Sequence, residues 1–321
     1  MPRFAGLQLR SAWGLSSDVE VASALMVRDA VANGASVVFT PTVSIVDPLY
    51  NPSNAYTRFK LLSVDSGGAF ALTRPLSSQV EEIQALLNAV PTEARRVLSI
   101  AVGSLKEAEE LIERVGRGVD AVELDVNLSC LLAGKDLAYI IELAKELSAL
   151  LKTPLSLKIN AASTSLVSLS KMVVDSGASA LVLTPNLVYK LGQHFFRLHS
   201  PHVSTTLLLG VAEELTSLDV SLACVTQVEQ NILSSIVPIR LYDVTYMLSW
   251  LSYTGPSRSS GIPLSWRSIS RRLKVYAREG ARFCPYGLIR EEGFVSGCNY
   301  CGVCLELNPA NVELAASIAP Q

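Results

Sequence analysis

The chain has 321 residues, 49% of them hydrophobic and only 17% charged, with a formal net charge of −2. No basic stripe is present to neutralise phosphates, so nucleic acid is excluded as an electrostatic partner, and no apolar run reaches the roughly 18 residues of a membrane span. The opening Met1-Pro2-Arg3-Phe4 lacks the hydrophobic region of a signal peptide, which sets the expected location as cytoplasmic.

In chain order, an amphipathic helix over 18–32 closes at Asn33-Gly34 and runs into a buried strand at 36–40. Further short apolar strands are predicted at 97–102, 119–126, 154–159, 180–184, 219–224 and 236–241. Helical periodicity fills 78–90, 105–115, 136–151 and 165–175. Strands of five to eight apolar residues suit a parallel sheet covered on both faces. The junctions Ala32-Asn33-Gly34-Ala35-Ser36 and Asp175-Ser176-Gly177-Ala178-Ser179 repeat one unit, a helix closing on glycine before the next strand. Seven strands are clear, and an eighth is expected at 61–64 or 205–209. No G-x-G-x-x-G follows the first strand, which argues against a dinucleotide-binding open sheet. The expected fold is therefore an α/β (β/α)8 barrel over 1–255. A C-terminal helix and cysteine-rich segment follows over 256–321, after the turn-rich 255–261.

In such a barrel the chemistry sits at the C-terminal ends of the strands. The polar residues there are Thr40 and Thr42, Asn127 to Cys130, Lys158 and Asn160, Thr184 and Asn186, Thr226 and Gln227, and Tyr242 with Asp243. A lysine inside the apolar run Leu157-Lys158-Ile159 must aim its ammonium at a polar or anionic group, because burying it unpaired costs several kcal/mol.

At these positions the chain resembles the dihydroorotate dehydrogenase family of FMN-dependent barrels. Asn127-Leu128-Ser129-Cys130 is similar to the family's N-x-S-C, and Lys158 to its flavin-contacting lysine. Asn186 resembles a second substrate-binding asparagine, Asn51-Pro52 and Arg58 resemble an N-P-x-x-R loop, and Ala12-Trp13-Gly14 resembles an early flavin-contacting turn. The resemblance implies Cys130 or Ser129 as catalytic base, with Asn127, Asn186 and Asn51 holding a dihydropyrimidine. It implies Lys158, Thr40, Thr42 and Gly14 beside FMN. The family's T-K-T reads Thr40-Pro41-Thr42 here, and its P-N after the cysteine reads Leu131-Leu132. Its phosphate-binding glycine turns read 223–227 and 241–243, which leaves Thr226 and Gln227 as substitute donors.

Cys298-x-x-Cys301-x-x-Cys304 has the spacing of a ferredoxin-type iron–sulfur site, with Cys284 as a remote fourth ligand; zinc is the other metal suited to four thiolates. His194, His199 and His202 read as a loop, and Arg267, Arg271, Arg272, Lys274 and Arg278 as one basic helical face. The expected function is an FMN oxidoreductase acting on a dihydropyrimidine-type C–C bond in pyrimidine metabolism, passing electrons through an iron–sulfur centre. The alternatives are a non-catalytic barrel that has lost FMN and serves as a structural or partner-binding subunit, or another flavin barrel such as a dihydrouridine synthase. Beyond a small-molecule substrate, a second copy of the chain or an electron-transfer subunit is the expected partner.

Overall fold

The computed structural model describes residues 1–18, 24–32, 34–45, 59–65, 68–73, 80–115, 118–161, 166–191, 194–199, 211–212, 215, 218, 220–225, 239–242, 273–278, 289–295 and 312–316. Eight strands pair in parallel and close into a barrel. They are β1 (Trp13–Leu15), β2 (Val37–Phe39), β3 (Arg95–Ile100), β4 (Ala121–Asp125), β5 (Leu155–Asn160), β6 (Ala180–Thr184), β7 (Ser221–Val225) and β8 (Ile239–Tyr242). Consecutive strands are neighbours, and β8 pairs with β1 to complete the ring. The described helices are α1 (Ala24–Ala32), α2 (Val80–Ala89), α3 (Leu105–Val115), α4 (Val126–Ala133), α5 (Leu137–Leu150) and α6 (Leu166–Ser176).

Seven of these strands match the sequence expectation to within a few residues. The eighth does not. It is Trp13–Leu15, only three residues long, too short to show any periodicity in the sequence. Residues 61–64 belong instead to the strand Phe59–Asp65, part of a four-stranded antiparallel sheet with Gly68–Thr73, Leu187–Leu191 and His194–His199. The segment 205–209 lies outside the described residues. His194 and His199 end a strand of that sheet and are not in a loop. Asp18 itself is not helical and is buried at the end of the segment leaving β1; helix α1 is described from Ala24, and residues 19–23 lie outside the described residues.

The period-two alternation of each strand sorts its residues between two cores. Outward-facing Leu98, Val122, Leu124, Leu157, Leu181 and Cys224 pack against Leu111, Ile140, Leu147 and Val173 of the helices. Inward-facing Val37, Phe39, Val97, Ala121, Ala180, Val182, Ala223 and Leu241 fill the barrel beneath Phe4 and Leu9 of the N-terminal segment. Phe4 and Phe39 meet edge to face, 5.4 Å between centroids. Gly34 and Gly177 both take positive φ (104° and 67°), as the repeated helix-to-strand junction requires.

The C-terminal segment contributes a second correction. Lys274 lies in the strand Leu273–Ala277, the centre of a three-stranded antiparallel sheet with Gly293–Val295 and Val312–Ala316. Alternating Leu273, Val275 and Ala277 set a period of two there, and this overrides the helical reading at Lys274; Arg267, Arg271 and Arg272 lie outside the described residues. Cys284 and the Cys298–Cys304 run lie outside the described residues. No described helix is long and apolar enough to cross a membrane.

Candidate functional site

Toward the C-terminal end of the strands the inward positions turn polar. Ser99 on β3, Glu123 and Asp125 on β4, Lys158 and Asn160 on β5, and Thr184 on β6 are all buried. Strand register brings Asp125 level with Lys158 and Asn160 level with Thr184. The segment after β1 adds Ser16, Ser17 and Asp18, each no more than 1% exposed.

Lys158 stands at the centre. Its ammonium forms ion pairs with Asp18 and with Asp125, the latter at 3.0 Å, and donates to Ser17 Oγ at 2.9 Å. Three donors meet three named acceptors, as burial of an ammonium demands. Asp18 in turn accepts from Thr184 Oγ1 at 2.6 Å and from Asn186 Nδ2 at 2.7 Å. Ser17 donates to Glu123, which also accepts from Ser99 Oγ at 2.7 Å. Ser99 links further to Thr42 Oγ1 at 3.0 Å, and its backbone amide donates to Thr40 Oγ1 at 3.0 Å. Asn160 donates from Nδ2 to the Asn186 carbonyl at 2.6 Å, and its backbone amide donates to Asn127 Oδ1 at 2.8 Å. Thr40, Thr42, Asn127, Lys158 and Asn186, picked from sequence, therefore share one mouth and one network.

The charges in this network are unequal. Among the described residues, two aspartates and Glu123 surround one lysine. Burial pushes the Glu123 carboxyl up to about 7, only partly opposed by Lys158 and by the Ser17 and Ser99 hydroxyls. Its Oε2 has no hydrogen-bond partner, consistent with a carboxyl that holds a proton through much of the neutral range.

The N-x-S-C segment takes a form the sequence did not announce. β4 stops at Asp125, whose side chain caps α4 by accepting from the Leu128 amide at 3.0 Å. Asn127, Ser129 and Cys130 are thus helical. Ser129 Oγ accepts the Val102 amide at 3.1 Å and pins the loop after β3. Cys130 is half-buried against the outer core. Burial, then Asp125 and Asp136, push its thiol up to about 11, so it is un-ionised at neutral pH. Gly14 has a packing reason of its own: a Cβ there would collide with the Val37 carbonyl of β2. Asn51, Thr226, Gln227, Cys284, Cys298, Cys301 and Cys304 lie outside the described residues. Among those described, no cluster of three or more His, Cys, Asp or Glu side chains is placed to hold a metal ion.

Asp18, Ser17 and Ser99 are among the network members that sequence reasoning missed. A usable signal existed in Leu15-Ser16-Ser17-Asp18, a polar triplet directly after an apolar run, which the barrel rule would have put at the mouth once 13–15 was seen as a strand.

No family model and no curated protein matches the chain. Among solved structures, dihydroorotate dehydrogenase from Eimeria tenella in complex with ferulenol is similar at 14% identity, covering 83% of this chain and 81% of that one, with a TM-score of 0.52. A mandelate oxidase bound to 3,3-difluoro-2-hydroxy-3-phenylpropionic acid matches at 12% identity, 84% and 72% coverage and a TM-score of 0.44. A phosphoribosylanthranilate isomerase from Thermotoga maritima matches at 11% identity, 81% and 98% coverage and a TM-score of 0.40. At these identities the first likeness establishes the barrel fold and nothing finer. The other two, with TM-scores under 0.5, carry no argument.

The donor set at the mouth suits a flavin. An ammonium, a hydroxyl and an amide NH2, on Lys158, Thr184 and Asn186, converge on one buried carboxylate position. The carbonyl-rich edge of an isoalloxazine needs donors of this kind. In the described structure these donors are taken up by the Asp18 carboxylate.

Proposed function

We propose that the chain is an FMN-dependent oxidoreductase of the dihydroorotate dehydrogenase kind, acting on a dihydropyrimidine-type C–C bond at the mouth of the barrel. What carries the reading is the convergence of Lys158, Thr184 and Asn186 donors on one position, with the Asn127 amide beside them. Flavin, when bound, supplies a hydride acceptor. Lys158 and Thr184 would hold its polar edge, and Asn127 and Asn186 would orient the amides of a cyclic substrate. Glu123 gains or loses a proton near pH 7 and so sets the charge carried by the network. Cys130 serves as base only if ligand binding lowers a thiol that stands at about 11 in the free protein. Four thiolates at Cys284, Cys298, Cys301 and Cys304 would hold an iron–sulfur centre as an electron outlet, or a structural zinc.

One observation favours a second reading. Lys158 is 1% exposed and already paired with two carboxylates, as expected of a barrel that has given up its flavin and serves as a structural or partner-binding subunit. The absorption spectrum of anaerobically purified protein, with metal analysis, separates the two. Flavin bands, with or without the broad shoulder of a cluster, support the oxidoreductase. Their absence, with added FMN failing to bind, overturns it in favour of the second reading.

A further inference from the structure

We propose that Glu123 is the proton acceptor of the barrel mouth, and that a proton released by a bound substrate reaches it through the hydroxyls of Thr42 and Ser99. The inference rests on the oxidoreductase reading for its substrate, while the relay itself belongs to the free chain.

The hydrogen-bond directions follow from counting protons, because a hydroxyl has only one to donate. Ser99 donates its proton to Glu123 Oε1 at 2.7 Å, so in its 3.0 Å contact with Thr42 it accepts and Thr42 is the donor. The line therefore runs one way, from Thr42 Oγ1 to Ser99 Oγ to Glu123 Oε1, crossing from the segment after β2 to β3 and on to β4. Ser99 is held in place by its own backbone: its amide donates to Thr40 Oγ1, and its carbonyl accepts from the Val43 amide.

The carboxyl at the end of this line is placed to hold a proton. Glu123 is wholly buried and, among the described residues, forms no ion pair. Its Oε1 accepts from both Ser99 and Ser17, and its Oε2 has no hydrogen-bond partner. Asp125 on the same strand shows the structural alternative, a carboxylate that caps a helix and pairs with Lys158. The charged groups around Glu123 come from three elements. Lys158 of β5 meets Ser17 and draws the carboxyl down, Asp125 of β4 pushes it up, and Asp18, after β1, pairs with Lys158. Burial outweighs them, and the carboxyl stands at about 7, where it both takes and returns protons. The thiol of the N-x-S-C segment is placed differently. Cys130 packs against the outer core and, at about 11, keeps its proton.

In the transfer a substrate C–H bond breaks and its proton joins Thr42 Oγ1. The Thr42 proton moves to Ser99, and the Ser99 proton moves to Glu123 Oε1. Each hydroxyl ends with one proton, and only Glu123 changes, from anion to neutral acid. The hydride that completes the two-electron oxidation leaves the adjacent substrate carbon for the bound flavin, and the C=C bond forms between the two carbons.

The test reads the carboxyl directly in the full chain. Infrared difference spectra between about pH 5 and about pH 9 should show a carboxylic-acid C=O band that is lost as pH rises through about 7 and is missing in Glu123→Gln. After a pH jump, the change in this band should slow by at least about tenfold in Ser99→Ala and in Thr42→Val. Thr42→Val keeps the side-chain shape and carries the test should Ser99→Ala not fold. With FMN-loaded protein and dihydroorotate, flavin reduction should rise with pH through the same value. In Glu123→Gln it should fall by about 100-fold and lose that rise. A native chain without the band, native exchange rates in Thr42→Val, or an unchanged pH profile in Glu123→Gln each overturns the proposal. A band that exchanges through Thr42 in a chain whose flavin stays unreduced, or that binds none, keeps the relay and removes the oxidoreductase reading instead.

Discussion

Two levels of the barrel interior are lined by the same strands, two residues apart. Taken strand by strand, the lower level is Val97, Ala121, Ser156 and Val182, and the upper level, two residues further along each strand, is Ser99, Glu123, Lys158 and Thr184; across strands the register offsets them, pairing Ser156 with Glu123 and Val182 with Lys158. Solvent does not distinguish the two levels, since all eight side chains are buried. They differ in how they are held. The lower level rests mainly on non-directional packing of Val97, Ala121 and Val182 in one core with Phe4 and Phe39, where exchange at similar volume is tolerated; its polar member, Ser156, donates to the Val122 carbonyl at 3.2 Å. The upper level rests on a connected polar network in which each group depends on its neighbours, and partial loss is worse than none. A barrel therefore carries a forgiving half and a demanding half, and the demanding half is the one that faces ligand.

The largest expected effect tests that dependence. Lys158→Met removes the ammonium that the buried Asp18 and Asp125 share. It should cost about 3–5 kcal/mol in denaturant unfolding, the usual loss when one partner of a buried pair is removed. Adding Asp18→Asn and Asp125→Asn to the same chain should recover much of that loss, since asparagine still caps α4 at position 125. A triple variant as unstable as the single one would place the damage in packing and erase the contrast between the two levels.

A smaller effect, visible only with pH, is expected at Glu123. Its carboxyl is near 4.5 when unfolded and about 7 when folded, so between those values the native state binds more protons than the unfolded one. Stability contributed here is therefore present at low pH and declines as pH rises through the folded value. Glu123→Gln keeps an acceptor for Ser17 and Ser99 and removes the charge. Relative to the native chain it should gain stability as pH rises from 5 to 8, by at most on the order of 3 kcal/mol, with no gain below about pH 4.5. A gain of the same size at every pH would show that desolvation of the ionised carboxylate is not the cause.

The lower level and its strands were legible in the sequence because alternation over five or six residues leaves a signature, as in Leu155-Ser156-Leu157-Lys158-Ile159-Asn160. The polar residues of that run also marked the mouth. What stayed hidden had physical reasons. Trp13–Leu15 is too short for any period, and its concealment took Asp18 with it. Asp125 looked like part of a strand, yet its capping of the Leu128 amide turns Asn127, Ser129 and Cys130 into a helix. Spacing along the chain identified Lys158 as needing an anion. Only closure of the ring, which brings β1 beside β8 and the segment after β1 over β5, revealed that a main partner lies 140 residues earlier.

The smallest expected effect isolates what burial contributes. Lys145 and Glu142 on α5 form an ion pair at 2.7 Å, shorter than the 3.0 Å between Lys158 and Asp125. By distance alone the helix pair would be the stronger. Its side chains are 40% and 67% exposed, however, against 1% and 3% in the mouth. Water and salt screen the exposed pair, and ordering two long side chains offsets what attraction remains. Hydrogen bonding to Glu142 raises the Lys145 ammonium above its usual value, but a group this exposed gains little stability from such a shift. Glu142→Gln should leave the unfolding midpoint unchanged within error at physiological ionic strength, with any difference vanishing as salt is added. Loss comparable to that of Lys158→Met would mean that contact distance governs these pairs, and the distinction between the solvated surface and the dry mouth would fall.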